Sequence, residues 1–302
     1  MKLLQINNPR YETMRQGFKE WLITLGYSDQ VVYNHPIYLI EFLSYLEARN
    51  INEIAAAPTG IVKEYFEYLQ VRKNKRRSGT LSNTSVNSRI YAVEKFSEYL
   101  MKELGIFLPA TIKKLPANAK SIMVLSQAEI EILYRTTESD YLGIRDRAML
   151  SLLYGCGLRS KEAINLDISD VMFDKNLLYI RQTKNKYERL VPMTENIKND
   201  LENYLLYSRP YLARKRPNER SFIVSRRSNR PNGDALRHRL RRLLKMSRIS
   251  DYKKGISLHT LRHSIGTHLL QKGMKLDDIR QFLGHLSLES TQIYTHIVHE
   301  LQ

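Results

Sequence analysis

The residues able to do chemistry collect near the end of the chain. His259 and Arg262 stand three apart in S-L-H-T-L-R-H; Leu283-Gly284-His285 follows, then Tyr294 in T-Q-I-Y-T-H. Arg159 lies far upstream in G-C-G-L-R-S-K-E, with Glu162 three residues on and able to hold its guanidinium in place. A guanidinium grips two phosphate oxygens at once, and an imidazole donates to a third. A phenol ionises only near pH 10, about three units too high for attack at neutral pH. Clustered cations are expected to lower that value and to stabilise the charge that builds on five-coordinate phosphorus. The set is what cutting a phosphodiester strand without metal or attacking water requires.

His259 and His263 also show the i, i+4 spacing of a helical zinc pair. Thr260 occupies the position where that motif needs Glu, and the next acidic residue is Asp277. Neither a metal nor a cofactor is expected. His263, His268, His296 and His299 are read as structural. Lys184 and Lys186 lie in Q-T-K-N-K-Y-E between two strand-like runs. A flexible ammonium at a hairpin tip reaches a phosphate or donates a proton, although solvated turn lysines have the same sequence. The lone Cys156 excludes an internal disulfide and a cysteine-cluster zinc site, and is read as a small buried residue.

These residues need elements to position them. Ser257 as N-cap and Gly273 as stop predict a helix over 258–272 that places His259 and Arg262 on one face, near an N-terminus that favours anions. Ala148 to Tyr154 predicts a buried helix ahead of Arg159. Leu177 to Arg181 and Arg189 to Met193 predict short strands. Ser126 and Glu129 form a capping-box pattern, and further helices are predicted near 195–207, 233–246, 275–283 and 288–298. The first hundred residues carry four apolar stripes at helical spacing, through Phe18 and Trp21, Phe42 and Leu46, Tyr65 and Leu69, and Val93 and Phe96. They predict a helical bundle. Residues 105–125, interrupted by Pro109 and Pro116, predict a basic linker. The basic loop over residues 72–79 is either a solvated charge run or a phosphate contact. The fold class is mainly α with a small β component.

At 302 residues the chain is long enough for two cores. Lys and Arg number 48 against 31 Asp and Glu, a net charge of +17. That excess favours nucleic acid as partner through counterion release. Mean hydropathy is −0.43. No apolar run approaches the ~20 residues of a membrane span, and the N-terminus lacks a signal-peptide core. A cytoplasmic, DNA-associated protein is expected.

In order and approximate spacing, G-L-R-S-K-E, H-T-L-R-H, L-G-H and the late tyrosine resemble the tyrosine recombinases, the integrase family, in its simple two-domain, Xer-like form. The resemblance spans essentially the whole chain. It implies a helical, SAM-like core-binding domain over 1–107, a linker over 108–125 and an α+β catalytic domain over 126–302. It puts the catalytic set at Arg159, Lys184, His259, Arg262, His285 and Tyr294, with Tyr294 as nucleophile, Glu162 in support and Lys186 as a substitute for Lys184. Thr183 and Asn185 replace the glycines that usually flank the family's lysine. Site-specific recombination is then the expected function, through a 3′-phosphotyrosyl link and a Holliday junction, with neither ATP nor metal. The implied partners are double-stranded DNA recombination sites and a tetramer, of one chain or with a paralogue, and no membrane. Two alternatives differ: a catalytically silent sequence-specific DNA binder, which has no use for Tyr294, and a relaxing enzyme of the type IB topoisomerase kind, which needs no synapsis. Eight residues follow Tyr294 where simple family members carry a longer tail, so exchange of the tail between protomers is left open.

Overall fold

The computed structural model describes residues 5–74, 78–116, 122–181, 188–285, 291, 294 and 295. Lys184, Lys186, His296 and His299 lie outside the described residues, as does part of the basic loop and most of the 288–298 helix. The chain divides into two compact units, residues 1–120 and 121–302, each with its own hydrophobic core.

The first unit is built on four helices, α1 (Pro9–Thr24), α2 (Asp29–Glu47), α3 (Ile61–Val71) and α4 (Asn83–Leu104). Their ends follow local chemistry. The Asn8 side chain accepts from Arg10 N ahead of α1, Ser82 accepts from Ser85 N ahead of α4, and Gly105 ends α4 in the left-handed conformation. The predicted stripes meet in the core, where Phe18 packs edge-on against Phe96 at 5.5 Å and Phe42 against Tyr65 at 5.0 Å. The start of the predicted linker belongs with this unit. Leu108 and Ala110 are buried, and the Asn87 amide both donates to Leu115 O (2.8 Å) and accepts from Leu115 N (3.0 Å).

The second unit runs α5 (Gln127–Arg135), α6 (Tyr141–Leu150), α7 (Ser160–Asn165), β1 (Val171–Met172), β2 (Leu177–Ile180), β3 (Arg189–Pro192), α8 (Glu195–Asn203), α9 (Arg209–Ala213), α10 (Gly233–Met246), α11 (Ile249–Tyr252), α12 (Leu258–Gln271) and α13 (Leu276–Leu283). The capping box ahead of α5 forms as predicted, with Ser126 and Glu129 each accepting from the other's backbone. The strands form an antiparallel sheet in the order β1-β2-β3, with Leu178 opposite both Val171 and Val191. β1, only two residues long, carries no alternation that a sequence pattern can register. Two predicted helices are broken by wider π turns, α6 into Ser151–Gly155 and α8 into Tyr204–Ser208. The first turn closes with Cys156 N on Ser151 O at 2.8 Å. It delivers the chain to Gly157 and Arg159, a placement common for π turns beside functional residues. Among the described residues no helix is long and apolar enough to cross a membrane.

Candidate active site

Arg159 is the N-cap residue of α7. Its backbone N donates to Glu162 Oε2 (2.8 Å) while its guanidinium donates to Glu162 Oε1 (2.8 Å) and to Gly284 O (2.8 Å). The i, i+3 relation read from the sequence is therefore a two-point clamp. Arg262 projects from the first turns of α12, whose start is held by Ser257 and Thr260 capping one another. Its side chain is 1% exposed. It donates to Gly157 O at 2.6 Å and to Leu283 O, and its Nε has no partner among the described residues. Burial, then the neighbouring Arg159, pull its pKa down to about 9.

The sequence reading missed a third guanidinium. Arg189, on β3, donates to both Glu162 oxygens (3.2 and 3.0 Å) and to Phe282 O (3.1 Å). Alternation along β3 was the available signal. Arg189 lies two residues before the buried Val191 and pairs with the buried Ile180, so it points to the inner face of the sheet.

The L-G-H motif thereby acquires a backbone role. The last carbonyls of α13, on Phe282 and Leu283, and that of its cap Gly284 accept from Arg189, Arg262 and Arg159 respectively. A helix C-terminus presents unpaired carbonyls and the negative end of its dipole, so it suits three cations. Gly284 is left-handed (φ 64°), and a Cβ there would lie 2.7 Å from an Arg189 nitrogen. Glu162 completes the cluster from within. Burial opposes its ionisation, but the hydrogen bonds and charge of Arg189, then Arg159, outweigh burial and hold the carboxyl at about 2.

The phenol packs near this cluster, within the field of Arg262 and Arg159. Tyr294 is fully buried. Its ring stacks on His285 (6.1 Å between centroids, 16° between planes) and meets His263 at 5.9 Å. His285 is held by a 2.9 Å hydrogen bond between Nδ1 and Thr291 Oγ1, and His259 meets His263 at 4.4 Å. The seat depends on Gly266 of α12, because a Cβ there would stand 2.6 Å from the ring carbon bearing the hydroxyl. One expectation is corrected here. Burial pushes the Tyr294 phenol up to about 12, and the opposing pull of Arg262 and Arg159 does not overcome it. Burial, followed by nearby cations, likewise lowers His285 to about 3 and His263 to about 4, so both rings are neutral at pH 7. His268, read as structural, is buried with Nδ1 3.0 Å from the Tyr154 hydroxyl.

The structure thus brings Arg159, Glu162, His259, Arg262, His285 and Tyr294 into one neighbourhood; Lys184 lies outside the described residues. A second basic feature escaped the sequence reading. A cleft of about 530 Å³ is lined by Arg145, Arg226, Arg227, Arg230, His238 and Arg239. Asp146 neutralises part of it by pairing with Arg239 and Arg145. Among the described residues, no group of three or more His, Cys, Asp or Glu stands close enough to hold a metal ion.

The model of the phage integrase family matches residues 123–300. Tyrosine recombinase XerC of Chlamydia caviae is 36% identical over 241 residues, 78% of this chain and 72% of that protein. XerC of Bacillus subtilis is 30% identical over 289 residues, covering 94% and 91%. The crystal structure of XerA recombinase aligns over 94% of this chain and 93% of its own, with 27% identity and a TM-score of 0.51. XerH site-specific recombinase, in a post-cleavage complex with its palindromic difH substrate, shares the fold at a TM-score of 0.73 and 17% identity, over 100% of this chain and 90% of that one. With more than half its length matched and relatives this similar across both units, the chain belongs to the phage integrase family and is an Xer-like tyrosine recombinase, an enzyme of site-specific DNA recombination.

Proposed function

We propose that Tyr294 is the nucleophile and that Arg159, Arg262 and His285 hold the non-bridging oxygens of the scissile phosphate. The Tyr294 oxygen forms a bond to phosphorus as the bond to the 5′-oxygen breaks, leaving a 3′-phosphotyrosyl link and a free 5′-hydroxyl. His259 takes or relays the phenolic proton, and Lys184 protonates the departing 5′-oxygen. The phosphodiester energy stays in the link, so rejoining by the 5′-hydroxyl of a partner strand calls for no ATP. Two rounds through a Holliday junction complete exchange, within a tetramer on two synapsed duplexes in the cytoplasm.

The observation that carries this reading is the seating of one phenol, among 19 tyrosines, against the cluster holding both motif arginines; the charges of Arg262 and Arg159 act on Tyr294 directly. Because burial holds the phenol neutral, attack requires that its proton be taken as the bond to phosphorus forms. The test is a nicked suicide duplex carrying the protein's recombination site. Wild type is expected to form an adduct that survives denaturation, and Tyr294→Phe none. If wild type binds the site and forms no adduct, the chain is a binder. If Tyr294→Phe still forms the adduct, another residue is the nucleophile.

A further inference from the structure

We infer that Arg189 is a positioning residue that sets the charge of the phosphate site by occupying Glu162. This inference rests on the roles proposed above for Arg159 and Arg262. Three guanidiniums surround one carboxylate, with Arg159 at 2.8 Å, Arg189 at 3.0 Å and Arg262 at 3.7 Å from Glu162. Only Arg189 spans both carboxylate oxygens with its two terminal nitrogens. Of the three it also lies on the sheet, whereas the other two lie at helix N-terminal turns.

The balance of charge decides what the arrangement does. Three guanidiniums against one carboxylate leave two net positive charges. A phosphodiester carries one negative charge, and the five-coordinate species formed by attack of a phenolate carries two. Fixed cations accelerate the step to the extent that they match charge developing in the transition state. With Arg189 absent, Glu162 would be shared between Arg159 and Arg262 alone. The site would then retain a single net positive charge, enough for the bound diester but short of the transition state. Arg189 thus acts through Glu162, and the α13 carbonyls that also hold the three arginines prevent the cluster from flying apart.

This predicts a recovery that bracing alone would not give. At saturating protein on the suicide duplex, Arg189→Gln is expected to slow adduct formation at least about tenfold while leaving DNA affinity within about threefold. Glu162→Gln/Arg189→Gln restores two net charges and is expected to recover most of the lost rate. Arg189→Lys keeps the charge and loses the two-pronged geometry, and is also expected to stay near wild type. If Arg189 merely braces the fold, the lysine variant and the double variant would be as slow as Arg189→Gln, which would overturn the inference. Wild-type rates in a folded Arg189→Gln would overturn it as well. Should Arg189→Gln fail to fold, the other two variants decide, since each must be folded and near wild type in rate. An absence of adduct in the wild type would instead strike at the assignment of Tyr294, so the two failures are distinguishable.

Discussion

The two halves of the site differ in how finished they are. The anion-holding half is braced from within the chain. Arg159, Arg189 and Arg262 each have a carbonyl at the end of α13, and Glu162 ties Arg159 and Arg189 together. The nucleophilic half is stored rather than armed. Tyr294 is buried and protonated, and its hydroxyl has no partner among the described residues. Preorganised charge accelerates a reaction because it need not rearrange when the transition state forms. The chain thus holds the phosphate pocket by hydrogen bonds and ion pairs, and the phenol by packing against His285, His263 and Gly266.

The largest break in this contrast would come from the carboxylate. Glu162→Ala leaves three guanidiniums around a vacated, mostly buried position. Removing one partner of a buried ion pair typically costs about 3–5 kcal/mol. The thermal or denaturant transition of the second unit is expected to fall accordingly, with the first unit unchanged because its core is separate. A loss below about 1 kcal/mol would show that the arginines are held by the α13 carbonyls alone.

Acid probes the other half. His285 and His263 have folded-state pKa values of about 3 and about 4, both below the ordinary 6.5. Between pH 6.5 and 4 the unfolded chain takes up protons at these rings and the folded chain does not. Stability is therefore present above pH 6.5 and lost as pH falls. By pH 5 the loss is expected to reach about 2 kcal/mol for each ring, about 4 kcal/mol for the two. Comparing the stability of wild type and His263→Asn/His285→Asn at pH 7 and pH 5 checks it. An equally steep fall in the variant would place the acid sensitivity elsewhere.

Much of this is legible in the sequence. The helix carrying Arg262 could be read from Ser257 and Gly273, and its predicted span differs from α12 by one residue. Glu162 as the partner of Arg159 could be read from a three-residue spacing. What could not be read depends on long-range contact. Arg189 meets Glu162 from 27 residues away and Phe282 from 93, and a four-residue strand gives only one alternation to suggest that it points inward. Gly266 looks like any helical glycine until Tyr294 lies across it. The phenol's pKa is not legible there, because a cluster of cations is visible in sequence, whereas the burial that outweighs it belongs to the folded chain.

The smallest effect sharpens the contrast most directly. If the phenol is stored at a cost, removing its hydroxyl should stabilise the DNA-free protein. A buried hydroxyl without a hydrogen bond costs about 1–3 kcal/mol, and a phenyl ring of the same shape avoids that cost. Tyr294→Phe is expected to raise the stability of the second unit by about 1 kcal/mol at pH 7. The gap should widen in alkali. The folded-state pKa of about 12 lies above the ordinary 10, so above pH 10 the unfolded chain releases a proton that the folded chain keeps. Wild type then loses stability as pH rises, by up to about 1.4 kcal/mol per pH unit, while the phenylalanine variant is spared that contribution. Paired denaturation curves at pH 7 and pH 10.5 measure both effects. A Tyr294→Phe variant less stable than wild type at both pH values would mean that the hydroxyl is satisfied in the resting protein, and that the nucleophilic half is as finished as the arginine pocket.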